Sequence, residues 1–432
     1  MKRLATTDPD FEAAFSALLA EPREISDNVA DAVAGIIAEV RRHGDVALCE
    51  FTQRFDRMAI TSAQLRISVE EIDAAAASVP APLLAALELA ATRIEKFHRA
   101  QIPKNLRMTD EAGLTLGMRW TPLDAVGIYV PGGKAAYPSS VLMNALPARI
   151  AGVARVAMCV PTPDGVLNPL VLAAARRAGV SEIFRIGGAQ AVAALAFGTA
   201  SIAPVDRVIG PGNAYVAEAK RQVFGHVGID SIAGPSEVVV IADAANASKN
   251  VALDLLAQAE HDEAAQAILI TDSAAFADAV AAAVAAELPT LSRAAIAGAS
   301  WRDHGAVIIV RDLAEAAALS DRLAPEHLQL MVADPAALFA RIRHAGAAFL
   351  GRFCPEAVGD YVAGPNHVLP TGRSARFASG LSVFDFLKRT TWVAADAAAL
   401  AQVGPAAVAL AEAEGLDAHA RSIALRLEGA SA

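Results

Sequence analysis

The chain has 432 residues, 54% of them apolar and 5% aromatic, with a net charge of −10. That length suffices for two or more domains, each with its own core, and the acidic balance argues against a nucleic-acid partner, which requires clustered Lys and Arg. Three widely spaced cysteines, Cys49, Cys159 and Cys354, offer neither a disulfide framework nor a thiolate metal cluster and suit a reducing compartment. The N-terminus reaches Asp8 without an apolar core, so no signal peptide is read there. The uncharged stretch Gly187 to Val205 is interrupted by Gly, Gln, Thr, Ser and Pro, which suits a buried helix and loop better than a membrane span. A cytoplasmic protein with no membrane association is the expectation.

Residues 1–24 read as a short amphipathic helix, from Asp10-Phe11-Glu12 onward, and a link. From Asp27 to Arg42 the apolar positions Val29, Val33, Ile36, Ile37 and Val40 recur at helical spacing. Further helices are expected at 44–54, 69–78 and 82–100, the last with Lys96, His98 and Arg99 near its C-terminal end, where the helix dipole favours cations. Leu106 and Met108 alternate with polar residues, Asp110-Glu111-Ala112-Gly113 has turn composition, and Leu114, Leu116 and Met118 return on one face. That pattern predicts a hairpin closed by Trp120.

From 125 the chain alternates strand and helix: strands at 126–130, 155–160, 182–186 and 207–209, helices at 139–150, 168–178, 189–197 and 214–223. Such alternation indicates βαβ units and a parallel sheet with right-handed connections. Ligands of such sheets bind at the carboxyl ends of the strands, here Pro131-Gly132-Gly133, Gly187 to Gln190 and Gly210 to Asn213. A second series starts near 237, with strands at 238–241, 267–270, 306–310, 328–332 and 347–350 and helices near 248–261, 273–287, 312–322 and 335–344. After Arg352 the chain is rich in Gly and Pro, and it ends in a helical tail from about 383. Two Rossmann-like α/β domains with helical ends follow from this.

No G-x-G-x-x-G follows any strand, so the usual dinucleotide fingerprint is missing. The glycine-bearing strand ends could still let backbone approach a pyrophosphate, or could be tight turns, and Asn213 could simply cap the helix that begins at Ala214. Gln258 and His261 stand three apart on one helical face; an amide oxygen and an imidazole there can hold a divalent metal, or form a solvated helix end. Glu326 and His327 precede a strand. An acid beside an imidazole can divide two proton transfers, each accelerating a reaction on the order of 10²–10⁴; the alternative is a polar turn. Asp360 is a carboxylate ligand or a turn residue, and His419 an imidazole ligand or a solvated helix end. Gln258, His261, Asp360 and His419 together would suit zinc and tolerate manganese or cobalt. Ser236, between the two series, can hydrogen-bond a ligand or form a turn; G-x-S-x-G is absent, so it is no nucleophile elbow.

Seven segments, in order, resemble the histidinol dehydrogenase family: Gly127 to Gly133, Gly210 to Val216, Ala233 to Glu237, Leu256 to His261, Pro325 to Leu328, Gly359 to Tyr361 and Glu414 to His419. They cover about residues 25 to 425. The resemblance implies oxidation of L-histidinol to L-histidine in two NAD-dependent steps through an aldehyde, with one zinc ion per subunit. It implies Gln258, His261, Asp360 and His419 as zinc ligands at the substrate's place, His327 as general base in both oxidations, and Glu326 as activator of the hydrating water. Ser236, His327 and Glu414 would contact substrate, and Tyr129, Gln190 and Asn213 would contact NAD. It also implies a homodimer with exchanged tails, so that Glu414 and His419 act across the interface. The implied domains are an arm (1–24), a main α/β domain split into 25–124 and 236–381, a nucleotide domain (125–235) and a helical tail (382–432).

Three alternatives differ in what they predict. A relative oxidising an anionic diol should lack an acid at Glu414. A zinc hydrolase using Glu326 to activate water would form product without NADH. A non-catalytic module would bind zinc and turn over no alcohol.

Overall fold

The structure is a computed structural model that describes residues 1–20, 27–132, 137–232 and 234–429. The end of the N-terminal link (21–24), Gly133 and Ala233 lie outside the described residues. Two parallel sheets organise the chain. The larger has six strands in the order Lys2–Ala5, Ala306–Ile309, Gln266–Thr271, Glu237–Ala242, His327–Met331, Ala347–Leu350, all parallel. Its central strands, EVVVIA and QAILIT, are buried at every position, as runs of β-branched residues covered on both faces should be. One face packs against the helices Ser248–Ala259 and Ala274–Glu287, the other against Phe11–Leu19 and Leu313–Leu323.

The smaller sheet has five parallel strands in the order Glu182–Phe184, Arg155–Cys159, Ala125–Tyr129, Arg207–Ile209, Gly228–Ile229. Two α/β sheets were expected, and two are present. Helices Asp27–His43 and Asp45–Asp56 pack outside one face of the small sheet, on the helices Gly188–Phe197 and Ala214–Val223, with Val33, Ile37, Val40 and Leu48 in the shared core. Helices Val69–Ser78 and Ala81–Arg99 pack outside the other, on the helices Pro138–Ala151 and Pro169–Ala178, through Ala76, Leu87, Ala91 and Ile94. The apolar faces of these four helices are buried on the helices that cover the small sheet; periodicity reveals that a face is apolar without revealing what it covers.

Two expectations are corrected at the ends of the chain. The arm read as helix and link begins with the edge strand Lys2–Ala5, paired with Ala306–Ile309; four residues are too few to carry a period. The tail read as helical from about 383 instead includes the strand Leu387–Ala394, which pairs antiparallel with Thr115–Pro122 and extends the 106–120 hairpin to three strands. Its Thr390, Thr391, Trp392 and Val393 are strong strand formers. Gly117 is required beneath them, since a Cβ there would lie 2.0 Å from the Trp392 ring. Beyond this strand the helices Ala397–Ala413 and Asp417–Gly429 pack on each other, with Gly404 against Leu427. Among the described residues no single helix is long and apolar enough to cross a membrane.

Candidate metal and acid–base centre

In a parallel sheet the connecting helices run opposite to the strands, so a helix C-terminus arrives at the strands' amino ends. The helix Ser248–Ala259 thus delivers Gln258 and His261 to the amino edge of the large sheet, where His327 and Glu237 begin neighbouring strands. The centre therefore lies at the edge opposite to the usual ligand edge of open α/β sheets.

His327 is 4% exposed. Its Nδ1–H donates to the Glu237 carbonyl at 3.0 Å, which leaves the Nε2 lone pair facing Glu356 Oε1 at 3.7 Å. The ring stacks on Phe349, and burial pushes its pKa down to about 3, so the imidazole is neutral. Glu326 Oε2 accepts the Glu237 N–H at 2.9 Å and lies 3.6 Å from His327 Nδ1. One residue's backbone, that of Glu237, thus orients both members of the pair. The approach is set by Ala324, which ends the preceding helix in a left-handed conformation (φ 46°) before Pro325.

The cation-attracting groups stand beside this pair. The Gln258 amide N–H donates to His261 Nδ1 at 3.1 Å, and His261 Nε2 faces Asp360 Oδ2 at 3.9 Å. Gln258 is fully buried, and its Oε1 meets no donor among the described residues. Asp360 and Glu356 are four apart on the helix Glu356–Tyr361 and share a face. Burial raises Asp360 to about 6; burial, then the charges of Asp360 and Asp254, raises Glu356 to about 8. Glu356 Oε1 is also buried without a donor. His327, Glu356 and Asp360 each offer a ligand atom within 4.8 Å of the others. Carboxyl groups pushed upward and oxygens without donors describe a pocket whose fields favour a cation.

Two supports hold the pocket. His367 Nδ1–H donates to the Asp360 carbonyl (3.0 Å), and its Nε2 accepts from the Ser140 hydroxyl (3.3 Å), tying the centre to the helix Pro138–Ala151 beside the small sheet. Burial pushes His367 down to about 4. Gln329, two residues after His327 and 0% exposed, donates to Asp254 Oδ2 (2.7 Å) and accepts the Glu356 N–H (3.2 Å). It joins the helix carrying Gln258 to the helix carrying Asp360.

Of the residues singled out in the sequence, Gln258, His261, Asp360, Glu326 and His327 meet here, and Ser236 directly precedes Glu237. Glu414 and His419 do not join them within one chain. Both are exposed on the tail, and neither side chain makes a hydrogen bond or ion pair among the described residues. Tyr129, Gln190 and Asn213 lie elsewhere, at the carboxyl edge of the small sheet. The Tyr129 hydroxyl accepts the Gly188 N–H (3.1 Å), and burial pushes the phenol up to about 12. Gln190 is buried with Oε1 unmet. Asn213 Oδ1 caps the helix Ala214–Val223, accepting from Tyr215 and Val216 N–H.

Sequence reasoning missed Glu356, His367, Gln329 and Asp254. Two of these carried a readable signal: Glu356 and Asp254 each stand four residues before a candidate ligand. His367 lies in a Gly- and Pro-rich run without periodicity, and Gln329 is a polar residue in an otherwise apolar strand.

A buried imidazole–carboxylate centre on one parallel sheet and glycine-rich strand ends on another define an enzyme of two Rossmann-like α/β sheets. The family model described as Histidinol dehydrogenase matches residues 19–427. The chain is 68% identical over 428 residues to a histidinol dehydrogenase of Gluconobacter oxydans, covering 99% of this chain and 100% of that one. It is 62% identical to that of Rhodospirillum rubrum, covering 98% of each. The solved histidinol dehydrogenase of Elizabethkingia anophelis superposes with a TM-score of 0.96 at 34% identity, covering 100% of this chain and 99% of that one. The chain belongs to the histidinol dehydrogenase family and is an oxidoreductase.

Proposed function

We propose that this protein catalyses the last step of histidine biosynthesis, the zinc- and NAD-dependent oxidation of L-histidinol to L-histidine through L-histidinaldehyde, removing four electrons in two steps. Family membership supports the histidine-forming oxidation. The observation that carries the finer reading is the convergence of Gln258, His261 and Asp360, distant in sequence, beside the His327–Glu326 pair.

Gln258, through its unmet Oε1, His261 and Asp360 would hold zinc, with His419 of the partner subunit completing the set in a homodimer with exchanged tails. An imidazole pair, a carboxylate and an amide oxygen suit that ion. Zinc, when bound, supplies a Lewis acid that orients the amino alcohol and polarises its oxygen. NAD, when bound, supplies the hydride acceptor, and Tyr129, Gln190 and Asn213 are its contacts.

The chain's own residues do the rest. His327 Nε2, kept neutral by burial and free because Nδ1–H is engaged, takes the hydroxyl proton as the carbinol C–H pair leaves as hydride. The aldehyde has no hydroxyl to deprotonate, so Glu326 accepts a proton from water as that water adds to the carbonyl, and the proton then passes to the former carbonyl oxygen. The resulting gem-diol presents a hydroxyl and a C–H bond like those of the first alcohol. His327, its proton returned to solvent, acts again, and the second hydride leaves a carboxylate. Ser236 and the partner's Glu414 would contact the substrate, the latter through its ammonium group. The substrate is a small molecule, with no part for nucleic acid or membrane, and the setting is cytoplasmic.

The test supplies purified protein with zinc, L-histidinol and NAD and counts NADH against histidine. Two NADH per histidine is the expected result. Histidine without NADH, or aldehyde that accumulates as the final product, would overturn the proposal.

A further inference from the structure

Next to the small sheet's carboxyl edge sits a buried ion pair that takes no part in the proposed reaction. Lys220, on the helix Ala214–Val223, pairs with Asp230, just past the edge strand Gly228–Ile229; their side chains are 2% and 5% exposed. The pair closes on a single residue. Asp230 Oδ2 accepts the Gly210 N–H at 2.8 Å, and Lys220 Nζ donates to the Gly210 carbonyl at 3.0 Å. Gly210 adopts φ 109°, and a Cβ there would lie 2.1 Å from the Tyr129 carbonyl oxygen. The conformation is therefore open only to glycine, and the end of the 207–209 strand is pressed against the end of the 125–129 strand.

A buried pair of this kind is poorly explained by stability. Desolvation of two charges cancels much of their attraction, and a well-packed apolar pair of similar volume usually serves a core as well or better. What an apolar pair cannot do is hold both polar faces of a neighbouring residue. The turn Gly210 to Asn213 is in fact held at both ends, at Gly210 by the ion pair and at Asn213 by the helix cap. Within it, a Cβ on Gly212 would strike Val216 at 2.5 Å, so the turn lies flat on its helix.

We propose that Lys220 and Asp230 are positioning residues that set the Gly210–Asn213 turn, and with it the edge shared by Tyr129, Gln190 and Asn213, for NAD. The inference rests on the assignment of NAD to that edge. The two residues touch neither cofactor nor substrate; they act through the Gly210 backbone. Their removal should therefore weaken NAD and leave the amino edge of the large sheet unchanged.

The paired substitution Lys220→Met with Asp230→Leu removes both charges and keeps the volume buried. The expected result is a rise of about tenfold in KM for NAD, with KM for L-histidinol and zinc content within about twofold of wild type. A KM for NAD that stays within about twofold would overturn the inference. Lys220→Met with Asp230→Asn keeps an acceptor for the Gly210 N–H and loses only the carbonyl's donor. It should give a smaller rise in the same parameter, and it carries the test if the first variant does not fold. Equilibrium dialysis of NAD separates the two levels of the argument. Wild-type protein that fails to bind NAD overturns the edge assignment and the inference together; wild type that binds while both variants bind equally well overturns the inference alone.

Discussion

At the amino edge of the large sheet, Gln258 and Glu356 each bury an oxygen that meets no donor, and Asp360 and Glu356 are pushed toward their protonated forms. At the carboxyl edge of the small sheet Gln190 Oε1 is unmet, but the other polar groups are spoken for: the Tyr129 hydroxyl by Gly188, Asn213 by its helix, Gly210 by Lys220 and Asp230. An unmet buried polar atom costs on the order of 1–3 kcal/mol, so a fold that carries two at one site holds capacity that a ligand would complete. The second edge spends its polar groups on its own shape. Under the proposed function one edge changes bonds and the other presents a surface, and perturbation should affect them differently.

The largest expected effect is metal removal. Chelation should abolish NADH formation, and zinc should restore it, while secondary structure followed by circular dichroism stays intact. At zinc a hundredfold above its Kd, the bound ion should stabilise the fold by about 2.7 kcal/mol. Chelated protein with full activity would make the unmet oxygens irrelevant to catalysis. Next is His327→Asn, which should lower kcat by on the order of 10²–10⁴ with zinc content unchanged. Loss of zinc in that variant would move His327 into the ligand set, an arrangement its proximity to Glu356 and Asp360 also permits.

The tail can be tested by mixing subunits. A heterodimer of one His327→Asn chain and one His419→Ala chain should regain activity if tails cross, because one site then carries both defects and the other neither. Activity no higher than in the two parents would place each tail on its own chain. Gln329→Leu should be milder. It strands the Glu356 N–H and releases Asp254, so it should weaken zinc binding roughly tenfold to a hundredfold, the usual range for residues that orient metal ligands. The smallest effect belongs to the other edge: Asn213→Ala removes a helix cap worth about 1 kcal/mol, lowering Tm by roughly 1 °C, and should raise KM for NAD without touching zinc.

The α/β alternation was legible because each strand and helix announces its period locally. What local period cannot show is the partner. The helices of 27–99 read correctly as helices, yet their place on the helices that cover the small sheet depends on contacts far away in sequence. Leu387–Ala394 became a strand because a hairpin offered it an open edge. The same limit governs the centre. Gln258 with His261, and Glu326 with His327, were visible as pairs because their members are neighbours in sequence. Gln329 and His367 were not, since their significance lies in bridges to Asp254, Glu356 and Ser140 across the fold. The location at the amino edge also ran against the rule for open sheets, and only the direction of the 248–259 helix explains it.

The most direct test of the account is anomalous diffraction at the zinc edge from crystals of the zinc-loaded protein. The account predicts one peak per subunit, bonded to Gln258 Oε1, His261 and Asp360, with His419 of the partner subunit as the fourth donor. A peak bonded to His327, Glu356 and Asp360, leaving Gln258 and His261 without contact, would contradict it.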